Sequence, residues 1–170
     1  MSLWGILDEA ERLQWECTPF ESVGPLCFGM SKTEAEAGAA GALEFWARRP
    51  QRDGVISWTA SLEPCGRGPR RYAADLYFTP SDELFCVAIN GRFGPQVTMG
   101  GVRLVGRVPS ELEVEFGAYC DRVDGGLRYS ISADPAAKAL GVVLCAQRAG
   151  GCGRQPAGVR RPEMGRHVLG

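Results

Sequence analysis

Gly54-Val55-Ile56-Ser57-Trp58-Thr59-Ala60-Ser61-Leu62 alternates Val55, Ser57, Thr59 and Ser61 against Ile56, Trp58, Ala60 and Leu62. A period of two with one apolar side is the pattern of a half-buried β-strand. Arg71 to Phe78 repeats it, with Tyr72, Ala74, Leu76 and Phe78 on one side and Asp75 on the other. Leu84 to Asn90 is a third, more continuously apolar strand. Glu63 to Pro69 and Pro80-Ser81-Asp82 join them as turns, and connections this short predict an antiparallel meander.

Upstream, Leu3, Ile6, Leu7, Ala10 and Leu13 fall on one helical stripe, with Asp8, Glu9, Glu11 and Arg12 opposite, so a helix is expected from Ser2 to about Cys17. Thr18 to Met30 reads as a Pro- and Gly-rich connector. Ser31-Lys32-Thr33-Glu34 is a capping box, and it predicts a second helix running to about Arg49 and stopping before Pro50. Downstream, Arg92 to Met99 reads as a loop or edge strand and Val102 to Val105 as a short strand. Pro109 to about Val123 reads as a helix capped by Ser110 and Glu113, with a stripe of Leu112, Phe116, Tyr119 and Val123. Leu127 to Ile131 and Leu140 to Ala146 read as strands joined by a turn at Asp134-Pro135.

Runs of antiparallel strands beside a few helices argue an α+β fold, with the helices packed on one face of a curved antiparallel sheet. Phe28-Gly29-Met30-Ser31-Lys32-Thr33-Glu34-Ala35-Glu36 parallels Val105-Gly106-Arg107-Val108-Pro109-Ser110-Glu111-Leu112-Glu113, which suggests two related α-β units. The expected organisation is a single domain over 1–147, with halves 1–92 and 100–147. A basic, Gly-, Arg- and Pro-rich tail over 148–170 lacks an apolar period and is expected to be loosely structured.

The 170 residues are 45% apolar and 23% charged, ordinary for a globular domain. The net charge is −1, with 17 Arg against 2 Lys. From Arg148 onward five Arg oppose one Glu, so the preceding body is acidic, and no nucleic-acid partner is expected. No apolar run is long enough to span a membrane, and Met1 to Gly5 has no signal-peptide pattern. The expected location is the cytoplasm, with no membrane partner.

His167, near the end of the tail, is the sole histidine. The body therefore lacks the base of Ser-His-Asp and Cys-His catalysis and the commonest metal ligand. The seven Cys, at 17, 27, 65, 86, 120, 145 and 152, include no Cys-x-x-Cys pair. Cys86, Cys120 and Cys145 read as small buried hydrophobes, and Cys17, Cys27 and Cys65 as loop-proximal. No catalytic, cofactor-binding or metal residue is assigned, and the balance falls against an enzyme. Glu111, Glu113 and Glu115 sit in the first turns of a helix, where negative charge offsets the dipole. The candidates that remain are the sheet residues Trp58, Tyr72, Asp75 and Tyr77 with Arg71, a set suited to a protein interface. If Trp58 faces the helices, Ser57 and Thr59 face outward, and Tyr72 and Tyr77 are expected on opposite faces of their strand.

Leu26-Cys27-Phe28-Gly29-Met30-Ser31-Lys32-Thr33-Glu34-Ala35 resembles the Gly-Met-Ser/Thr-x-x-Glu-Val helix opening of the beta-lactamase-inhibitor-protein-like fold, a group that includes small outer-membrane assembly lipoproteins. The resemblance covers about ten residues. It implies two short helices followed by a three- or four-stranded antiparallel sheet, often in tandem. The second unit departs from that pattern, because Arg107-Val108-Pro109 follows Gly106 and one helix is evident. The chain also looks like uncharacterised actinobacterial proteins that accompany toxin systems. Together these imply a protein-binding module of the immunity or inhibitor-like kind. The alternative is a small-molecule-binding or carboxylate-dependent enzymatic domain, which calls for a deep sheet–helix cleft with an acid of raised pKa. A homodimer through a sheet edge is a third expectation.

Overall fold

The computed structural model describes residues 6–62, 71–123, 126–130, 133–146 and 157–160, and it has an α+β fold. The meander is present: β5 (Ile56–Leu62), β6 (Tyr72–Phe78) and β7 (Leu84–Ile89) pair antiparallel in sequence order.

The N-terminal helix is not. Glu9–Glu11 makes one 3-10 turn, and Gln14–Thr18 is strand β1, with Trp15 and Cys17 buried and their neighbours exposed. The alternation within Gln14-Trp15-Glu16-Cys17-Thr18 outcompetes the helical stripe because it buries an indole and a thiol on one side. The connector that follows folds as β2 (Ser22–Val23) and β3 (Leu26–Cys27). Gly24 turns between them at φ +57, where a Cβ would lie 2.5 Å from the Trp15 ring.

The Ser31 capping box forms. Ser31 Oγ accepts from Glu34 N at 3.3 Å, and Glu34 Oε2 accepts from Ser31 N at 2.8 Å. The helix it opens, α1 (Lys32–Gly38), is far shorter than expected. Gly41, at φ +81, turns the chain in the left-handed region, and Leu43–Pro50 becomes strand β4. Leu43 and Phe45 are buried and pair with Leu62 and Ala60 of β5.

After β7, β8 (Gln96–Met99) runs parallel to β1 and antiparallel to β9 (Val102–Arg103). It is an interior strand of the five-stranded order β3-β2-β1-β8-β9. α2 (Pro109–Val123) buries Leu112, Phe116 and Cys120. Val123 is exposed, so Cys120 takes the place expected of it. Leu112 N donates to Val108 O, so the helix opens on Pro109 and Ser110 lies inside the first turn instead of capping it. The two cap-like segments thus play different parts.

The final strands are shorter than expected: β10 (Arg128–Tyr129), β11 (Pro135–Ala137) and β12 (Val142–Val143), with a 3-10 turn at Lys138–Leu140. Pro135 begins a strand instead of a turn. Four residues of the segment expected to be loose, Ala157–Arg160, form β13 between β12 and β7. The larger sheet runs β10-β11-β12-β13-β7-β6-β5-β4. One hydrophobic cluster joins Trp15, Val23 and Leu26 of the smaller sheet to Leu76, Phe78 and Val87 of the larger, with Phe116 from α2.

Candidate functional site

Two irregularities in the larger sheet set its chemistry. Ala60 pairs with Ala74, but Ser61 pairs with Tyr72, so Ala73 is an extra residue on β6. A bulge puts one residue out of phase and switches the face of everything before it. Tyr72 therefore joins Asp75 and Tyr77 on one face, which corrects the expectation that the two tyrosines lie on opposite faces. A second bulge, at Trp46, separates Phe45, opposite Ala60, from Ala47, opposite Thr59.

Register then assigns the faces. Trp58, Ala60, Ala74, Leu76, Phe78 and Val87 share the side that enters the core. Ser57, Thr59, Ser61, Tyr72, Asp75, Tyr77, Cys86 and Ala88 share the other, which Arg49 reaches from β4 opposite Ser57.

The centre of this second face is Asp75. Thr59 donates to its Oδ1 at 2.7 Å, and the Tyr72 hydroxyl donates to its Oδ2 at 2.7 Å. Burial pushes the Tyr72 hydroxyl well above its ordinary pKa. The hydrogen bond to Asp75 and that carboxylate's charge act in the same direction, and Arg49 opposes them. Thr59 and Ser57 are almost fully buried, while Asp75, Tyr72 and Tyr77 are half-buried. Ser57 is held by the Gln51 side-chain amide, which donates to its Oγ at 3.0 Å.

Three of the five residues singled out in the sequence, Tyr72, Asp75 and Tyr77, share this face. Trp58 does not: it lies on the core side, with Lys32 Nζ 4.5 Å from its ring centroid. Arg71 precedes β6, exposed, and its carbonyl accepts from Leu62 N. Comparison with protein-family models, curated proteins and solved structures finds no match to this chain. What the face can do must come from its own groups: two aromatic rings, one fixed carboxylate and a flanking guanidinium.

Sequence reasoning missed a second polar cluster, which is architectural. Arg12 is buried, and its guanidinium donates to the carbonyls of Gly94 at 2.6 Å, Gly91 at 2.7 Å and Arg92 at 3.2 Å. Desolvation lowers its pKa, and Glu9 opposes that shift. Gln96, fully buried, donates to both Glu9 carboxylate oxygens and to Val105 O, and accepts from Val97 N and Val105 N. The sequence carried no signal for it, because the helical stripe grouped Arg12 with Asp8, Glu9 and Glu11 on the side facing solvent.

Among the described residues no group of three or more His, Cys, Asp or Glu is arranged to hold a metal ion. No helix among them is long and apolar enough to cross a membrane. An open depression on the outer side of α2 is lined by Arg107, Ser110, Glu111, Val114 and Glu115, with Arg107 and Glu115 paired at 2.9 Å. It is not the deep sheet–helix cleft an enzymatic reading calls for. Cys17 is buried in β1 instead of lying near a loop, and its thiol is pushed up to about 12 by burial and by Glu16. Cys65 lies outside the described residues.

Proposed function

We propose that this chain is a non-catalytic protein-binding module of the immunity or inhibitor-like kind. It docks through the face of the β4–β7 sheet that carries Tyr72, Asp75 and Tyr77. The observation that supports this most is the Ala73 bulge, which turns Tyr72 onto the Asp75 side and builds an aromatic–carboxylate patch that regular pairing would split. Rigid tyrosines beside a fixed acceptor suit an interface, because little side-chain freedom is lost when a partner docks. The cap segment at Ser31 resembles that of an inhibitor-type fold, which adds to the reading.

Affinity capture with the intact chain from lysate of its source cells, followed by native mass spectrometry, tests the proposal. One partner in stoichiometric amount is expected, retained by the wild type and released by Tyr77→Ala or Asp75→Asn. Absence of a stoichiometric partner, or equal retention by both variants, overturns it.

A further inference from the structure

Tyr77 pairs with Cys86 and Phe78 with Leu84, so Phe85 is an extra residue on β7. This bulge sets the Phe85 ring beside that of Tyr77, with centroids 6.4 Å apart and planes tilted by 60°. Phe85 is half-buried, as are Tyr72 and Tyr77. Asp75 lies between the two tyrosines on their shared face of β6. Its carboxylate oxygens each accept one hydrogen bond, from Thr59 and from Tyr72, and each keeps a lone pair for another donor. Among the described residues no Lys or Arg forms an ion pair with Asp75.

A fully exposed carboxylate needs no cation, because water solvates it. Asp75 is half-buried in the middle of a strand, and the side chains around it displace part of that water. Thr59 and Tyr72 fix the group without cancelling its charge, since both donors are neutral. The tyrosine rings beside it present π faces, which attract cations. One group answers both features. A guanidinium bonds a carboxylate through its planar fork and stacks on an aromatic face, whereas an ammonium offers only a compact charge. Arg49 is the cation already on this face, opposite Ser57, and it acts on Tyr72. It is exposed, so solvent screens it, and it flanks Asp75 without pairing with it. The wider field has the same sign as Asp75. The chain is net −1 although five Arg and one Glu fall after position 147, so the part that builds the sheet is acidic and attracts a basic partner.

We propose that the Asp75 face takes an arginine side chain of a protein partner, whose guanidinium bonds to Asp75 and stacks against the Tyr77 ring. This rests on the docking role proposed for the face and names the chemistry of the segment that docks there.

The test is fluorescence anisotropy on the full chain at low and physiological ionic strength. The probes are labelled peptides of alternating Arg and Gly, Lys and Gly, and Glu and Gly. The Arg peptide is expected to bind and to weaken with salt, the Lys peptide to bind less tightly, and the Glu peptide to show no binding. Asp75→Asn should weaken the Arg peptide by about tenfold or more. Glu111→Gln removes the same charge from the exposed side of α2 and should leave binding nearly unchanged. Tyr77→Phe keeps the ring and should retain binding, while Tyr77→Leu should weaken it. The melting temperature reports whether each variant folds. If Asp75→Asn does not, the Tyr77 pair and the order of the three peptides on the wild type still decide. No binding of the Arg peptide, equal binding of the Lys peptide, or equal weakening by Glu111→Gln and Asp75→Asn overturns the proposal. The docking role fails separately. A captured partner released by Tyr77→Ala but held by Asp75→Asn overturns the arginine and leaves the docking face standing. Asp75-dependent binding of the Arg peptide without a stoichiometric partner supports the arginine site and removes the docking role.

Discussion

The Tyr72 hydroxyl reaches Asp75 Oδ2 at 2.7 Å because Ala73, between them, is a bulge residue. The bond therefore reports the bulge. Tyr72→Phe removes one donor from a half-buried carboxylate that keeps Thr59, and should cost about 1 kcal/mol in urea unfolding. The same bond sets a pH dependence. A tyrosine whose folded pKa is raised releases its proton more readily when unfolded, so the stability it contributes is complete below the ordinary value of 10.0 and is lost as pH rises beyond it. Melting temperature should therefore fall more steeply above that pH in the wild type than in Tyr72→Phe. Parallel curves would show that Tyr72 is not held neutral by the fold.

Arg12 carries the second test. Its guanidinium satisfies three carbonyls of the turn between β7 and β8, and Leu7 N donates to Arg92 O of the same turn. Arg12→Met keeps much of the apolar stem but strands those carbonyls, so a loss of about 2–4 kcal/mol is expected. Arg12→Lys offers one compact ammonium in place of a fork and should recover only part of it. A change within experimental error for Arg12→Met in chemical denaturation would remove the turn's dependence on this side chain.

How much of this was legible in the sequence follows from what sets each element. The β5–β7 meander was readable because its alternation is local and its turns are short. The Ser31 box was readable because its reciprocal bonds run between two residues only three positions apart, Ser31 and Glu34. β4 was not, since Ala35 to Ala42 runs directly into Leu43-Glu44-Phe45, and only Gly41 in a left-handed turn separates the two periods. With β4 read as helix, Arg49 had no register opposite Ser57. Asp75 and Tyr77 were placed on their shared face by alternation alone. Tyr72 was misplaced because a bulge leaves no mark in the alternation Tyr72-Ala73-Ala74-Asp75, where two alanines are interchangeable. β1 escaped because its parallel partner β8 lies about eighty residues away, beyond any local signal.

The glycines offer a paired test of space against backbone conformation. At Gly94 a Cβ would lie 2.4 Å from Asn90 O and 2.8 Å from Ala73 O, both main-chain atoms. Gly94→Ala must therefore shift the turn that Arg12 grips, with an expected cost of about 1–3 kcal/mol. At Gly101, φ is +83 and a Cβ would meet nothing within 4 Å. Gly101→Ala pays only for the left-handed backbone, about 1 kcal/mol, and Gly101→Asn less. If the two alanine variants lose equal stability, the close approach at Gly94 is not what fixes that residue.

Cysteine reactivity tests the burial pattern of the smaller sheet. Cys17 and Cys27 are ten positions apart, yet Cys17 is buried in β1 while Cys27 is exposed on β3. Thiolate is the reacting form, and the Cys17 thiol, pushed up to about 12, supplies almost none near neutral pH even where reagent can reach it. Under native conditions an alkylating reagent should modify Cys27 rapidly and leave Cys17 intact, as read by peptide mass spectrometry. In denaturant the two should react at comparable rates, because burial is the first cause of the difference. Were residues 6–17 helical, as the apolar stripe alone suggests, Trp15 and Cys17 would not alternate with exposed neighbours along β8. Native labelling of Cys17 at the rate of Cys27 would support that helix over the strand.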